Sequence, residues 1–291
     1  SYSQNSHEKV IRNIFDNVLL NDEAYNNLRF LCDSAPGRLL GSDESFKAMD
    51  FMEKYFNKLG ADTVFHQNFT TPAWKCISTQ ISLKYSNNYI HLNADALGPS
   101  PSTPTEGINA NVIEVIGIEG LENLSSSEVK GKIVFFNKGV DLTYINTFQS
   151  YGSAVSQRAK GPALAEELGA TAVIVRSVST SIDRFPHTGS TYFNEVKIPC
   201  AAISTMDADL LSQELVKNSN LKLKVNIQTE FIDQHETYNL IADIKGKEFP
   251  NEYIIIAGHI DSWFNSPGAH DDGAGCVQVS DVLRVFKELN I

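Results

Sequence analysis

The sequence has 291 residues, a hydrophobic content of 42% and a formal net charge of −11. Its apolar content excludes a disordered chain, and four cysteines are too few for a small disulfide-rich scaffold. The acidic balance argues against a nucleic-acid partner, no apolar stretch reaches the ~18–20 residues of a membrane span, and the length favours two domains.

The first sixty residues predict three helices. Apolar residues between Val10 and Val18 recur at helical spacing, and a second helix stops at Ala35-Pro36-Gly37. A third begins at Ser42 or Asp43 as N-cap and stops at Gly60. The segments that follow predict strands: Thr63–Phe69, Cys76–Tyr85 and Tyr89–Asn93.

Three prolines between Gly98 and Pro104 indicate a domain boundary, because proline disrupts helices and central strands. The next segment alternates strands and helices, which is typical of a small α/β unit. Its predicted strands are Asn111–Ile116, Lys132–Phe136, Ala172–Val175 and Leu221–Ile227, and its predicted helices are Ala154–Leu168 and Asp207–Lys217.

The last part of the chain predicts two strands and a helix. Tyr238–Ile244 is the first strand, and Tyr253–Ala257 is a continuous apolar run typical of a strand buried on both faces of a parallel sheet. The helix starts near Gly273, and its predicted apolar stripe comprises Val279, Val282, Leu283, Phe286 and Leu289.

Polar residues follow the predicted buried strand, at the sheet edge where α/β proteins place ligands. An imidazole and a carboxylate, His259 and Asp271, suit a divalent metal, and Asp261 could accept the other ring N–H of His259. Each residue alone also fits a structural role, the histidine as a hydrogen-bonded side chain and the aspartate pair as a helix cap. Their combination favours a metal site.

Two motifs resemble the co-catalytic dizinc exopeptidases, which comprise secreted aminopeptidases and glutamate carboxypeptidases. They are Gly258-His259-x-Asp261-Ser262-Trp263 and Gly268-Ala269-x-Asp271-Asp272-Gly273. Gly37-Arg38-Leu39-x-Gly41-Ser42, the strand at Tyr238 and the middle segment resemble the plasma glutamate carboxypeptidase (carboxypeptidase Q) branch. The resemblance covers nearly the whole chain, as the N-terminal part of such an enzyme.

The resemblance implies an α/β fold, the first part of a three-layer zinc-exopeptidase domain with N-terminal helices. Residues 1–98 and 223–291 would form this incomplete peptidase domain, and residues 99–222 a protease-associated insert. His259 would bind one zinc ion, Asp271 would bridge two, and Asp261 would be the catalytic residue that orients His259. The Asp271–Asp272 peptide bond would be cis, and His270 would not be a ligand.

The implied function is that of a dizinc metallo-exopeptidase acting on short peptides or dipeptides. The family's later ligands and its catalytic Glu-Glu pair would follow this chain, whereas Glu166-Glu167 reads as a solvated helix face. We therefore expect the isolated chain to be inactive, with zinc absent or partial, and to need the missing C-terminal half as well as a peptide substrate. A secreted or periplasmic location is expected, with a signal peptide already removed, and a homo-oligomer is left open. The rival interpretation is a non-catalytic peptidase-like binding or receptor protein.

Overall fold

The computed structural model describes residues 2–85, 88–192 and 197–291. The helices are α1 Tyr2–Leu19, α2 Glu23–Ser34, α3 Asp43–Lys58, α4 Gly117–Glu122, α5 Ser126–Val129, α6 Thr147–Gly152, α7 Val155–Ala159, α8 Gly161–Glu167, α9 Thr205–Lys217 and α10 Ala274–Leu289. The strands are β1 Thr63–Tyr85, β2 Asn88–Leu92, β3 Ala94–Ala96, β4 Ile108–Val115, β5 Ile133–Phe136, β6 Ala172–Arg176, β7 Cys200–Ile203 and β8 Lys222–Asp243. No helix in these ranges combines the length and the apolar character needed to cross a lipid bilayer.

The chain divides into two compact units. The first comprises residues 1–73 and 232–291, and the second comprises residues 74–231. The second unit contains the whole of the predicted insert, 99–222, and extends beyond it by residues 74–98 on one side and residues 223–231 on the other. The predicted domain boundaries, and the protease-associated character of the insert, stay predictions.

The strands form a mixed sheet with the order β2-β1-β8-β4-β5-β6-β7-β3, and all of them except β1 and β8 lie wholly in the second unit. Strands β4, β5, β6 and β7 pair in parallel, and β3 is antiparallel to β7. The four residues of β5 are fully buried, as expected for a central parallel strand covered on both faces. The core includes Leu97, Val134, Phe136, Val173 and Val175.

The predicted helix Ala154–Leu168 is wrong as a single element, since the structure has α7 and α8 there. Lys160 separates them, and α8 begins with Gly161-Pro162. Proline lacks the N–H that would continue a helix, but it is well suited to the first turn of a new one. The break therefore follows from Pro162.

Three helices surround the core of the first unit. One cluster joins Leu31, Ala35, Ala48 and Val277, and another joins Met52, Tyr55, Phe56 and Leu283, so α2, α3 and α10 are packed together. The predicted start of α3 is confirmed, because the Ser42 hydroxyl accepts a hydrogen bond from the Ser45 N–H at 3.1 Å. Gly60 follows α3 with a positive φ of 70°, as a helix stop requires.

One prediction for this unit is wrong. The run Tyr253–Ala257 lies in no helix or strand, and Ile254 is 96% exposed. A buried strand needs neighbours that pair with its backbone, and no strand of the described ranges pairs with this run. The stripe expected on α10 is only partly buried, since Val282 and Phe286 are exposed. The helix instead buries a face that includes Val277, Leu283 and the guanidinium of Arg284.

Candidate metal centre

His259 is held from both ring nitrogens by carboxylates. Its Nε2 lies 3.0 Å from Oδ1 of Asp271, and its Nδ1 lies 3.2 Å from Oδ1 of Asp261. The structure therefore brings together the three side chains that the sequence singled out. The sequence predicted that His259 follows a strand of the sheet. In the structure it follows a segment that pairs with no strand of the described ranges.

Asp271 belongs to an irregular turn that leads into α10. Residues Ala269–Gly273 form a single π-type turn in which Asp271 and Asp272 have non-helical dihedral angles. The Asp271–Asp272 peptide bond is cis, so the expectation taken from the resemblance is confirmed. The Asp271 side chain is 78% exposed, which leaves its oxygens accessible to a ligand. The neighbouring His270 is exposed.

Asp272 joins the backbone of His259 to the first turn of α10. One of its carboxylate oxygens accepts a hydrogen bond from the His259 N–H at 3.2 Å, and the other accepts from the Gly275 N–H at 3.1 Å. Glycine is required at position 275 because a Cβ there would lie 2.2 Å from Asp272 Oδ1. The carboxylate also suits the positive end of the helix dipole.

The thiol of Cys276 makes a further link from α10 to the site by donating to the His259 carbonyl at 3.2 Å. Burial, above all, raises the pKa of this thiol to about 11, and the nearby charge of Asp272 adds to the effect. The group is therefore a neutral donor at ordinary pH. None of the four cysteines forms a disulfide.

Two opposing effects act on the imidazole of His259. Burial works to lower its pKa, but the negative charges of Asp261 and Asp271 outweigh burial and raise the pKa above its ordinary value. The centre is therefore electronegative. Such an environment favours a cation, either a proton or a metal ion, at the ring nitrogens.

The donor set fits part of a zinc site. Zinc takes imidazole nitrogen and carboxylate oxygen at about 2.0–2.2 Å in tetrahedral geometry, so two ligands on one ion lie roughly 3.3 Å apart. The 3.0 Å between His259 Nε2 and Asp271 Oδ1 is close to that spacing. Asp261 is on the opposite ring nitrogen, where it can hold the tautomer that leaves a lone pair on Nε2. Within the described ranges, no group of three or more His, Cys, Asp or Glu side chains is arranged to hold a metal ion.

Sequence reasoning missed two residues that build the site, Asp272 and Arg38. The sequence interprets Asp272 only as part of a helix cap, and its hydrogen bond from the Gly275 N–H fits that role. What the sequence did not predict is the hydrogen bond that Asp272 accepts from the His259 N–H. Arg38 was noted only within a stretch of resemblance. It is completely buried and donates to backbone carbonyls of the loop that carries the site.

The family model that matches this chain is that of peptidase family M28. The match covers residues 239–290 and so includes His259, Asp261 and Asp271. The resemblance to zinc exopeptidases that the motifs indicated is confirmed at this level.

Individual relatives match over most of the chain. Carboxypeptidase Q from Xenopus laevis is 31% identical over 98% of this chain and 60% of its own length. Aminopeptidase YwaD from Bacillus subtilis is 30% identical over 91% of this chain and 51% of its own length. The chain therefore spans little more than half of these curated relatives.

Solved structures agree on the fold. A peptidase M28 precursor from Shewanella amazonensis superimposes with a TM-score of 0.90 at 28% identity, covering 99% of this chain and 65% of that one. A zinc aminopeptidase from Bacillus subtilis has a TM-score of 0.65 at 22% identity, covering 91% of this chain and 57% of that one, and indicates a shared fold alone. The mixed α/β fold thus resembles that of M28 peptidases.

Proposed function

We propose that this chain supplies part of the active site of a zinc metallo-exopeptidase that cleaves short peptides or dipeptides from a free terminus. The observation that carries the proposal is the convergence of His259 Nε2 and Asp271 Oδ1 at 3.0 Å, with Asp261 on the opposite ring nitrogen. The M28 match over these same residues supports it. Relatives are named both as a carboxypeptidase and as an aminopeptidase, so the proposal does not choose the terminus.

Each of the three residues has a distinct role in this proposal. His259 would hold zinc through Nε2, and Asp271 would supply a carboxylate ligand shared with a second ion. Asp261 accepts the Nδ1–H of His259 and so keeps the lone pair of Nε2 directed at the metal. Zinc bound here would act as a Lewis acid that polarises the scissile carbonyl and makes water more acidic.

We further propose that a polypeptide of only these 291 residues hydrolyses no peptide. Zinc sites in enzymes use three protein ligands or more, and the described residues bring two together. A general base is also needed, and the proton-transfer contribution of such a group is typically ~10²–10⁴-fold. The curated relatives are longer than this chain, and we propose that the further ligands and the base lie in the part of such a protein that this chain does not cover. A secreted or periplasmic location stays a prediction.

The test is release of amino acids from a panel of dipeptides blocked at either terminus or unblocked. The full-length natural protein is expected to be active with zinc and inactive with chelator, and the 291-residue polypeptide is expected to be inactive in both. Chelator-sensitive hydrolysis by the short polypeptide would contradict the second proposal. A full-length protein that is inactive across the panel would favour a non-catalytic binding role instead.

A further inference from the structure

Arg38 is a fully buried cation whose guanidinium is committed to backbone carbonyls. Its Nε donates to the Ile260 carbonyl at 2.5 Å, and its two Nη atoms donate to Pro267 at 2.6 Å and to Gly268 at 2.8 Å. No carboxylate among the described side chains lies within ion-pair distance of it. Burial accordingly lowers the pKa of Arg38. A charge is costly to bury, so such an arrangement is maintained only where its hydrogen bonds are well formed.

The three carbonyls belong to two separate segments of the site. Ile260 stands between His259 and Asp261, whereas Pro267 and Gly268 precede the turn that carries Asp271. One planar guanidinium therefore fixes the distance between the segment that presents the imidazole and the segment that presents the carboxylate. Lysine could not reproduce this, because an ammonium is a single point of charge without the rigid fork of a guanidinium.

The backbone next to Arg38 strengthens the same connection. The Arg38 carbonyl accepts from the Ser262 N–H at 3.2 Å, and the Gly37 N–H donates to the Ser266 carbonyl at 2.9 Å. Gly37 has a positive φ of 67°, and a Cβ there would lie 2.5 Å from the Phe264 carbonyl oxygen. The backbone of Gly268 also lies close to its neighbours, since a Cβ there would lie 2.4 Å from Ser262 Cβ and 2.8 Å from Arg38 Nη2.

We propose that Arg38 is the positioning residue of the metal centre, and that it holds the 259–262 and 267–271 segments in the register that lets His259 and Asp271 converge. The proposal rests on the proposed zinc function. Arg38 touches neither ligand side chain and acts only through the backbone that carries them.

Arg284 provides a matched control for this role. It is also a fully buried arginine of the first unit, but its hydrogen-bond and ion-pair partners among the described residues lie outside the site loop: Asp281 at 2.6 Å, Glu288 at 2.8 Å and Asn17 at 2.8 Å. Comparing Arg38→Lys with Arg284→Lys in the full-length protein separates a role in positioning from a general loss of stability.

The first readout is zinc affinity, measured by competition with a chromophoric chelator. Arg38→Lys is expected to weaken zinc binding about 10–100-fold, as the loss of outer partners of metal ligands does. Arg284→Lys is expected to keep the zinc affinity within roughly twofold of that of the unmodified protein, even if its thermal stability falls as much as that of Arg38→Lys. Unchanged affinity in Arg38→Lys, or an equal loss in both variants, would overturn the proposal.

The second readout is hydrogen exchange of the metal-free protein in peptides covering residues 258–275. Exchange is expected to accelerate at least about tenfold in Arg38→Lys and to stay unchanged in Arg284→Lys. If the unmodified protein binds no zinc, the proposed zinc function is wrong. The exchange experiment still tests the positioning role in that case. Faster exchange in Arg38→Lys supports the role, and unchanged exchange overturns it. If Arg38→Lys does not fold, Arg38→Gln takes its place, since it removes the guanidinium fork together with the buried charge. It is expected to weaken zinc binding and accelerate loop exchange, and a wild-type result in both would overturn the proposal.

Discussion

His259 has a carboxylate at each ring nitrogen, and the two carboxylates are expected to differ in importance. His259→Ala or Asp271→Ala in the full-length protein should reduce dipeptide turnover to background, because each would remove a proposed metal ligand. Asp261→Asn should cost about 10–100-fold, because it removes only the partner of the ligand. The measurement is kcat/KM on one dipeptide substrate, alongside zinc content.

Glu167→Gln is the control for these variants. Glu167 is exposed on α8 in the second unit, so its charge is expected to have no part in turnover. Loss of activity in this variant, or full activity in His259→Ala, would contradict the assignment of the centre.

A second residue-scale prediction concerns Cys200, which is fully buried in β7. Burial raises the pKa of its thiol to about 12, from the usual value of 9.0. At pH 8 the folded protein should therefore leave Cys200 unlabelled by iodoacetamide, since the thiolate is the reactive form. Burial also raises the pKa values of Cys32 and Cys76, but these thiols are only partly buried and should react faster than Cys200. The pKa of this thiol is higher in the folded state than in the unfolded state. Its contribution to the free energy of unfolding is therefore fully present below pH 9 and is lost as the pH rises towards 12.

Peptide mass spectrometry before and after unfolding in denaturant would measure the labelling. Rapid modification of Cys200 in the native protein, at a rate similar to that of Cys76, would show that β7 opens readily and would contradict the buried position.

Gly161, the first residue of α8, shows how close packing requires glycine at one position of the second unit. A Cβ at this position would lie 2.8 Å from the ring of Phe136 in the adjacent core. Gly161→Ala should therefore lower the free energy of unfolding by about 1–3 kcal/mol, as overpacking does. The measurement is equilibrium denaturation monitored by circular dichroism.

Gly152 offers a matched comparison within a helix of the same unit. A Cβ there would meet no atom within 4 Å, so Gly152→Ala should be neutral or stabilising by up to ~1 kcal/mol. Equal destabilisation by both substitutions would mean that contact with Phe136 is not what makes glycine necessary at position 161.

Sequence patterns predicted the elements whose signals are local. The start and end of α3 depend on Ser42 and Gly60, which act within one helical turn, and both were predictable. The strand predicted at Tyr253–Ala257 was wrong. An apolar β-branched sequence shows that a segment suits a strand, but it does not show that a neighbouring strand is available to pair with it. Arg38 could not be identified as part of the site, because it is more than 220 residues from the carbonyls that it binds.

At the scale of the molecule, the second unit is expected to fold independently of the first. A fragment of residues 74–231 should unfold in a single cooperative transition, because it retains β3 and the core residue Leu97. The sequence-based fragment 99–222 should be less stable, because it lacks both. Thermal unfolding of the two fragments compares the alternative boundaries.

A cooperative melt for residues 99–222 at the same temperature would favour the boundaries taken from the sequence. A non-cooperative melt for both fragments would mean that the second unit depends on residues 1–73 or 232–291 for its stability.

The exposed segment Tyr253–Ile256 has a consequence for how an isolated 291-residue polypeptide behaves in solution. It is apolar, uncharged and free of proline, and it contains three consecutive β-branched isoleucines. Tyr253, Ile254 and Ile255 are each at least 80% exposed. Segments of this composition pair readily with copies of themselves, edge to edge, and seed insoluble fibrils. Such a polypeptide should therefore precipitate in a concentration-dependent way, and a single lysine in place of Ile254 should keep it in solution.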